Sequence, residues 1–234
     1  MIHVPRFITG PFKPNSLFLE DAEYGRALDA LVKAVSDVLI TSPDGGRIFL
    51  GRRKVHPQPD WWYMGGRAKP GETPQQAAAR VMRRELGLQL APARFEVIGS
   101  YSMIWAMREQ PPAEHGTADI STVHHLVIQP EEEAAVQIDE KEYAESRWFH
   151  PEEVLKGEFH PILKQALRDL QAKTTYKALQ QAVQQGDEDS RLATLARAFV
   201  AAAQESMLPA ERGVMQVDFD EASRKYAVTL QEES

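Results

Sequence analysis

The sequence predicts an α/β or α+β domain with a mixed sheet, followed by a helical C-terminal extension. Short apolar runs separated by turn residues predict strands between residues 36 and 149, and a segment with helical periodicity lies among them. Beyond residue 157 the composition shifts to Ala, Leu, Gln and Lys at helical spacing. Strands and helices mixed along one chain are typical of a layered domain of sheet and helices.

Composition limits the class of protein. A chain of 234 residues with 43% hydrophobic residues can bury a sizeable core. The absence of cysteine excludes disulfides and thiolate metal sites, which leaves carboxylates and histidines as metal ligands. A net charge of -7 disfavours a nucleic-acid partner. Because no apolar run could span a bilayer and no signal peptide is recognisable, we expect a cytoplasmic protein without a membrane partner.

The N-terminal part predicts an arm, a helix and a hairpin. Residues 1–16 are rich in Pro, Gly and aromatic side chains, and we expect an extended arm that packs on the body. A helical pattern over residues 17–35 precedes a strand at residues 36–40, which contains Asp37. The turn Ser-Pro-Asp-Gly-Gly then joins this strand to a second one, which predicts a β-hairpin ending near Arg53. A short aromatic strand that includes Trp62 follows.

The stretch from residue 65 to residue 88 carries the strongest local signals. Thr73 suits an N-cap, Gln76 completes a capping box, and Gly87 can form a left-handed C-cap, which together predict a helix between them. We expect Glu72 and Arg80 to pair with each other or with loop amides, with a direct catalytic role as the alternative. Glu85, in the last helical turn, faces the negative end of the helix dipole, which favours a bound cation beside it.

Further strands are predicted at residues 94–105, 122–128 and 146–149, and the run Glu131 to Glu133 is predicted to be a solvated loop. The long polar loop before residue 122 has a length that is often functional.

Helical patterns at residues 160–185 and 189–207 predict an extension used for packing or homodimerisation. In the tail we expect a strand at residues 214–218 and a helix with Tyr226, Val228 and Leu230. These patterns divide the chain into an arm (residues 1–16), a domain (17–158) and a mainly helical extension (159–234).

The central stretch resembles the Nudix box. The matching elements are the glycine, the glutamate after five intervening residues, the arginine after seven more, and the final Glu-x-Gly-apolar run. The resemblance covers about residues 17–170. It implies a Nudix-type α/β/α sandwich, a hydrolase that acts on diphosphates, and a bound Mg²⁺, with Mn²⁺ as the alternative.

The box is reduced, because Val81 and Arg84 stand where the family has glutamates. In this respect it is similar to that of the GDP-mannose mannosyl hydrolases, in which water attacks the sugar carbon of a nucleotide sugar. By that resemblance Arg53 and Arg67 clamp the diphosphate, while Glu85, the Gly66 carbonyl and Glu142 hold the metal. Asp37 orients the site, and Trp62 stacks on the base or packs in the core.

The general base is not determined by this pattern. The GDP-mannose mannosyl hydrolases have a histidine where this chain has Tyr143. The alternatives are therefore that Glu142 is the base, that His115 is the base, or that the chain has no base, and Glu142 is preferred. Three functions remain open. They are hydrolysis of a nucleoside diphosphate linked to a sugar or similar group, ordinary pyrophosphate cleavage, and binding of a nucleotide without turnover.

Overall fold

A computed structural model describes residues 4–15, 17–211 and 213–231, without the side chains of residues 208–211. The described residues form two compact units, one ending at His150 and one beginning at Pro151. The division into arm, domain and extension stays a prediction. None of the helices in the described ranges has the length and apolar composition needed to cross a membrane.

Within the described residues, the first unit is built around a seven-stranded mixed sheet. Its strands are β1 (Lys33–Thr41), β2 (Ile48–Arg53), β3 (Trp61–Trp62), β4 (Met64–Arg67), β5 (Glu96–Trp105), β6 (Thr117–Val127) and β7 (Tyr143–Phe149). The central strand β1 is parallel to β6 and antiparallel to β2 and β4. β2 also pairs with β3 and β7, and β5 pairs with β6. The predicted hairpin and mixed sheet are therefore confirmed.

Helices α1 (Asp21–Ala30), α2 (Pro74–Leu86) and α3 (Pro130–Ala134) accompany this sheet. α2 packs on β1 and β4. Its apolar face is fully buried in a core that includes Val81, Met82, Val38 and Met64. This burial fixes the position of the loop between β4 and α2, because removing such side chains from water is the main stabilising contribution in a core.

The ends of α2 form as the sequence predicts. The Thr73 hydroxyl accepts a hydrogen bond from the Gln76 amide at 3.2 Å, and the Gln76 side chain accepts one from the Thr73 amide at 2.9 Å. Gly87 closes the helix at φ 70°, a left-handed conformation that favours glycine.

The second unit contains the helices α4 (Pro151–Lys156), α5 (Pro161–Gln185) and α6 (Asp189–Glu211), and the strands β8 (Val214–Asp220) and β9 (Lys225–Gln231). α5 and α6 pack on each other, with the rings of Tyr176 and Phe199 at 5.3 Å. Gly186 ends α5 at φ 71°. The two predicted long helices are confirmed.

Three predicted segments were wrong. The helix expected over residues 17–35 ends at Ala30, because the chain from Lys33 onward pairs with β6. The acidic run expected to be a loop lies in α3, where Glu132 accepts hydrogen bonds from Arg94. The tail helix is instead β9: Tyr226, Val228 and Leu230 alternate at the period of a strand and pair with β8.

The N-terminal arm has no regular secondary structure over residues 4–15, while residues 1–3 and 16 lie outside the described part of the chain. Arg6 donates a hydrogen bond to the Gly71 carbonyl at 3.1 Å, so the arm touches the loop before α2. Its large apolar side chains are not buried as expected, since Phe7 is 85% and Phe12 is 58% exposed.

Candidate active site

A cavity of about 300 Å³ opens beside the Gly65–Gly66 segment of β4. Its basic lining residues are Lys33, Arg53, Arg67, Arg84 and Arg108. Its aromatic lining residues are Tyr24, Trp62, Tyr63 and Trp105. Asp37, Asp119, Glu109 and Glu142 supply the carboxylates. Such a mixture of cations and aromatic rings suits a ligand that combines anionic groups with a flat ring.

Glu85 follows the cavity-lining residue Arg84 in α2 and is fully buried. The Tyr143 hydroxyl donates to one carboxylate oxygen at 2.6 Å, and the Arg84 guanidinium donates to the other. Burial raises the pKa of Glu85, although both donors oppose that effect. Burial, followed by the charge of Glu85, raises the pKa of Tyr143 well above its usual value, so this hydroxyl stays protonated. Among the described residues, Glu85 does not line the cavity.

Arg84 joins this buried carboxylate to the cavity. Its Nη2 atom lies 3.6 Å from the Glu142 carboxylate, and its side chain is 45% exposed. Burial lowers the pKa of Arg84, but the charge and hydrogen bond of Glu85 together with the charge of Glu142 outweigh this effect, and the net shift is upward. The guanidinium is therefore a permanent positive charge at the cavity wall.

Asp37 is buried in β1 and faces Gly65 on β4. A Cβ atom at Gly65 would lie 1.7 Å from the Asp37 Oδ1 atom, so only glycine permits this approach. The Ser121 hydroxyl donates to the other carboxylate oxygen. Burial raises the pKa of Asp37 to about 7, because this single neutral donor does not replace the lost hydration.

Glu72 and Arg80 hold the loop before α2. Their side chains form two hydrogen bonds, at 2.6 and 2.8 Å. Arg80 also donates to the Arg67 carbonyl at 2.8 Å, and Glu72 accepts from the Lys69 amide at 2.8 Å. These contacts connect both ends of the loop, and Arg80 is not among the described residues that line the cavity.

The predicted ligand-binding residues Arg53, Arg67, Gly66 and Trp62 all line the cavity. The Arg67 guanidinium lies over the Tyr24 ring at 4.6 Å. Trp62 is 4% exposed and packs edge-to-face on Trp105 at 5.6 Å. Core packing therefore limits Trp62 to presenting a small part of its ring.

A family model for the NUDIX domain matches residues 32–170 of this chain. The chain therefore belongs to the Nudix hydrolase family.

Solved structures of Nudix proteins resemble part of the chain. A MutT NUDIX hydrolase from Burkholderia pseudomallei is 20% identical, covers 59% of this chain and 98% of its own, and gives a TM-score of 0.48. A MutT protein from Methanosarcina mazei Go1 is 18% identical over 58% of this chain and 89% of its own, with a TM-score of 0.45. The dihydroneopterin triphosphate pyrophosphohydrolase of E. coli is 18% identical to this chain, and the match covers 59% of this chain and 95% of that enzyme, with a TM-score of 0.44. These values carry no argument about substrate.

Nudix hydrolases generally use divalent metal ions, but the described donors of this chain do not fit one. Within the described ranges, no group of three or more His, Asp or Glu side chains converges as a ligand set. Both oxygens of Glu85 already accept hydrogen bonds, from Arg84 and Tyr143. The three residues predicted to hold the metal, Glu85, Gly66 and Glu142, therefore lie beside the cationic side chain of Arg84.

The structure also brings together residues to which the sequence assigned no individual role. Lys33 pairs with Asp119 at 3.1 Å because the two are partners in the parallel β1–β6 register. Arg108 is 2% exposed and donates to Asp29 at 2.7 Å and to the Gly116 carbonyl at 3.0 Å. No local pattern marks these residues, since each acquires its partner only through the fold.

His115 does not reach the cavity lining described for this Nudix domain. Its ring contacts Asp29 at 3.2 Å and half of its side chain is exposed. Of the alternative bases, Glu142 lines the cavity and His115 does not.

Proposed function

We propose that this chain hydrolyses a nucleoside diphosphate linked to a sugar or a similar group, as its resemblance to the GDP-mannose mannosyl hydrolases suggests. The observation that carries the proposal is the cavity, whose wall brings five cationic side chains beside the Gly65–Gly66 segment. A diphosphate suits this lining, because its oxygens can accept charge-assisted hydrogen bonds from several guanidinium groups at once.

The residues that line the cavity suggest how such a substrate is bound. Arg53 and Arg67 bind the diphosphate, since a guanidinium offers paired donors to phosphate oxygens. Tyr24 and Trp105 offer apolar surface to a nucleobase. Asp119 and Lys33 suit the hydroxyl groups of a sugar, because together they present both acceptor and donor atoms.

The proposed reaction is attack of water on the sugar carbon. The new carbon–oxygen bond forms as the glycosidic bond breaks, the proton of the water passes to a carboxylate, and the nucleoside diphosphate leaves with the bonding electrons. Glu142 is the proposed base, because it lines the cavity and is 30% exposed. Asp37 is the second candidate, since a pKa of about 7 allows proton exchange near neutral pH.

Labelled water tests this reaction. The full chain is incubated with a panel of nucleoside diphosphate sugars, GDP-mannose among them, in water enriched in heavy oxygen. We expect the label on the sugar and turnover that falls by about a hundredfold in Glu142→Gln. Label on phosphate would indicate ordinary pyrophosphate cleavage instead, and full turnover in Glu142→Gln would reject this residue as the base.

A second candidate function is binding of a nucleotide without turnover. The specific observation in its favour is that Glu85, the last box glutamate, is buried behind Arg84. Equilibrium binding of a nucleoside diphosphate with no product across the panel would support it.

Homodimerisation remains a proposal for the helical extension. Exposed apolar residues on α5 and α6, such as Val183 and Val200, support it. Sedimentation of the full chain and of Val200→Lys tests it: a dimer that the substitution converts to monomer is the expected result. The cytoplasmic location likewise stays a prediction.

A further inference from the structure

The position of Arg84 is the strongest unexplained feature of the site. Its guanidinium donates to Glu85 and lies 3.6 Å from Glu142. A Cβ atom built on Gly66 would lie 3.2 Å from its Nη2 atom. Arg84 thus contacts or approaches all three residues to which the family resemblance assigns the metal.

A divalent cation and this guanidinium cannot occupy the same position. An arginine side chain stays charged at any ordinary pH, so it repels a metal ion placed a few ångströms away. Releasing Arg84 would also remove a charged partner from the fully buried Glu85 carboxylate, which is unfavourable. The geometry therefore favours the arginine over the ion.

Arg84 also has unused capacity for a ligand. A guanidinium has five donors, and within the described residues the hydrogen bond recorded for Arg84 is the one from Nη2 to Glu85. The side chain lines the cavity and is 45% exposed, next to the Gly65–Gly66 segment. Its remaining donors are accessible to an anion in the cavity.

We propose that the Arg84 guanidinium takes the place of the divalent cation in this site and binds the diphosphate of the substrate directly. The inference rests on the proposed function for the identity of the substrate. It adds that this chain binds a diphosphate, and releases it as the leaving group, without an added metal ion.

The first test measures Mn²⁺ binding by electron paramagnetic resonance on the full chain. We expect no tightly bound Mn²⁺ in the wild type and one bound ion in Arg84→Glu, which restores a carboxylate beside Glu85 and Glu142. The matched control is Arg83→Glu, which makes the same charge change on an exposed neighbour in α2 and should not bind the ion. A wild-type site for one Mn²⁺ that Glu142→Gln abolishes would overturn the proposal.

The second test measures inorganic pyrophosphate binding by calorimetry in excess EDTA. We expect the wild type to bind, Arg84→Met to lose at least about tenfold in affinity, and Arg83→Met to bind as the wild type does. The affinity of Arg84→Lys, which keeps the positive charge, should lie between those of the wild type and Arg84→Met. Near-ultraviolet circular dichroism monitors the fold of each variant. Unchanged binding in a folded Arg84→Met would contradict the proposal.

Both measurements are independent of turnover. If the nucleotide-sugar panel is inert but these results hold, the proposed reaction fails and the role of Arg84 stands. If turnover occurs only with added Mg²⁺, the reaction stands and the inference fails.

Discussion

Two buried carboxylates of the site have different surroundings. Glu85 accepts hydrogen bonds from a guanidinium and a phenol, whereas Asp37 accepts one from the Ser121 hydroxyl. A carboxylate out of water needs strong donors to remain charged. Burial raises the pKa of both carboxyls, and for Asp37 it rises to about 7, so Asp37 exchanges its proton near neutral pH. Glu85, held by its two donors, anchors Arg84.

Asp37→Asn should change how stability depends on pH. The pKa of Asp37 is about 7 in the folded chain against a reference of 3.8, so between these values the folded state binds the extra proton. Proton binding by Asp37 therefore stabilises the folded state. This contribution is complete below the reference pKa of 3.8 and is lost as the pH rises through about 7. The melting temperature of Asp37→Asn relative to wild type should therefore rise between about pH 5 and about pH 8.

Exposed Asp21→Asn is the control for this measurement, and its melting temperature relative to wild type should be the same at both pH values. A pH-independent difference for Asp37→Asn would show that Asp37 is ionised throughout this range.

Tyr143→Phe should destabilise the first unit by about 1–3 kcal/mol, because Glu85 would lose a hydrogen bond of 2.6 Å while remaining buried. Urea unfolding followed by tryptophan fluorescence measures the change. Tyr24→Phe keeps the ring that packs on Arg67 and serves as the control. Equal stability of the two variants would argue against a structural role for the Tyr143 hydroxyl.

At the scale of elements, β4, α2 and the loop that joins them hold one another in place. The capping box fixes where α2 begins, the Glu72–Arg80 pair holds the loop, and β4 lies against β1. The backbone of Gly65 and Gly66 is thereby held at one wall of the cavity.

Gly65→Ala and Gly66→Ala should differ strongly. A Cβ atom at Gly65 meets the Asp37 carboxylate at 1.7 Å, within the sheet, whereas one at Gly66 meets the flexible end of Arg84 and a methyl group of Val81, both at the milder distance of 3.2 Å. We expect Gly65→Ala to lower the melting temperature by roughly 5 °C or more, and Gly66→Ala to lower it much less. Differential scanning calorimetry compares the two, and equal losses would be inconsistent with this close approach.

At the scale of the whole molecule, the distribution of charge matters more for binding an anionic ligand than the net charge does. The chain carries -7 overall, yet one cavity concentrates Lys33 and four arginines. These five cations outnumber the four carboxylates of the same lining, so the cavity attracts anions that the net charge of the chain would repel, and dissolved salt screens this attraction.

Pyrophosphate binding should therefore weaken by about tenfold between about 50 mM and about 500 mM NaCl, because the Debye length falls to a few ångströms over this range and the attraction between the ligand and the cavity cations is screened. Isothermal titration calorimetry at constant pH measures this. The control is Lys156→Gln, which removes an exposed positive charge on α4 and should leave the salt dependence unchanged. Affinity that does not vary with salt would argue against electrostatic recognition.

Local signals account for the elements that were predicted correctly. The capping residues of α2, the Pro-Asp-Gly-Gly turn and the long Ala-rich helices each depend on neighbours close in sequence. The errors at these strands arose where pairing with another strand decides. Lys33 lies in a strand that forms against the distant β6, whereas in the tail β9 forms a hairpin with the adjacent β8, a partner that the helical interpretation of the tail left out.

The sequence by itself determined the family scaffold, the loop–helix from Gly65 to Leu88 and the replacement of box glutamates by Val81 and Arg84. Only the tertiary structure decided what those replacements do. Val81 joins the core, and Arg84 meets Glu85 and Glu142, of which the second lies far away in sequence. The physical reason is that periodicity and capping are short-range, whereas the partner of a buried charge depends on which strands and loops the fold brings beside it.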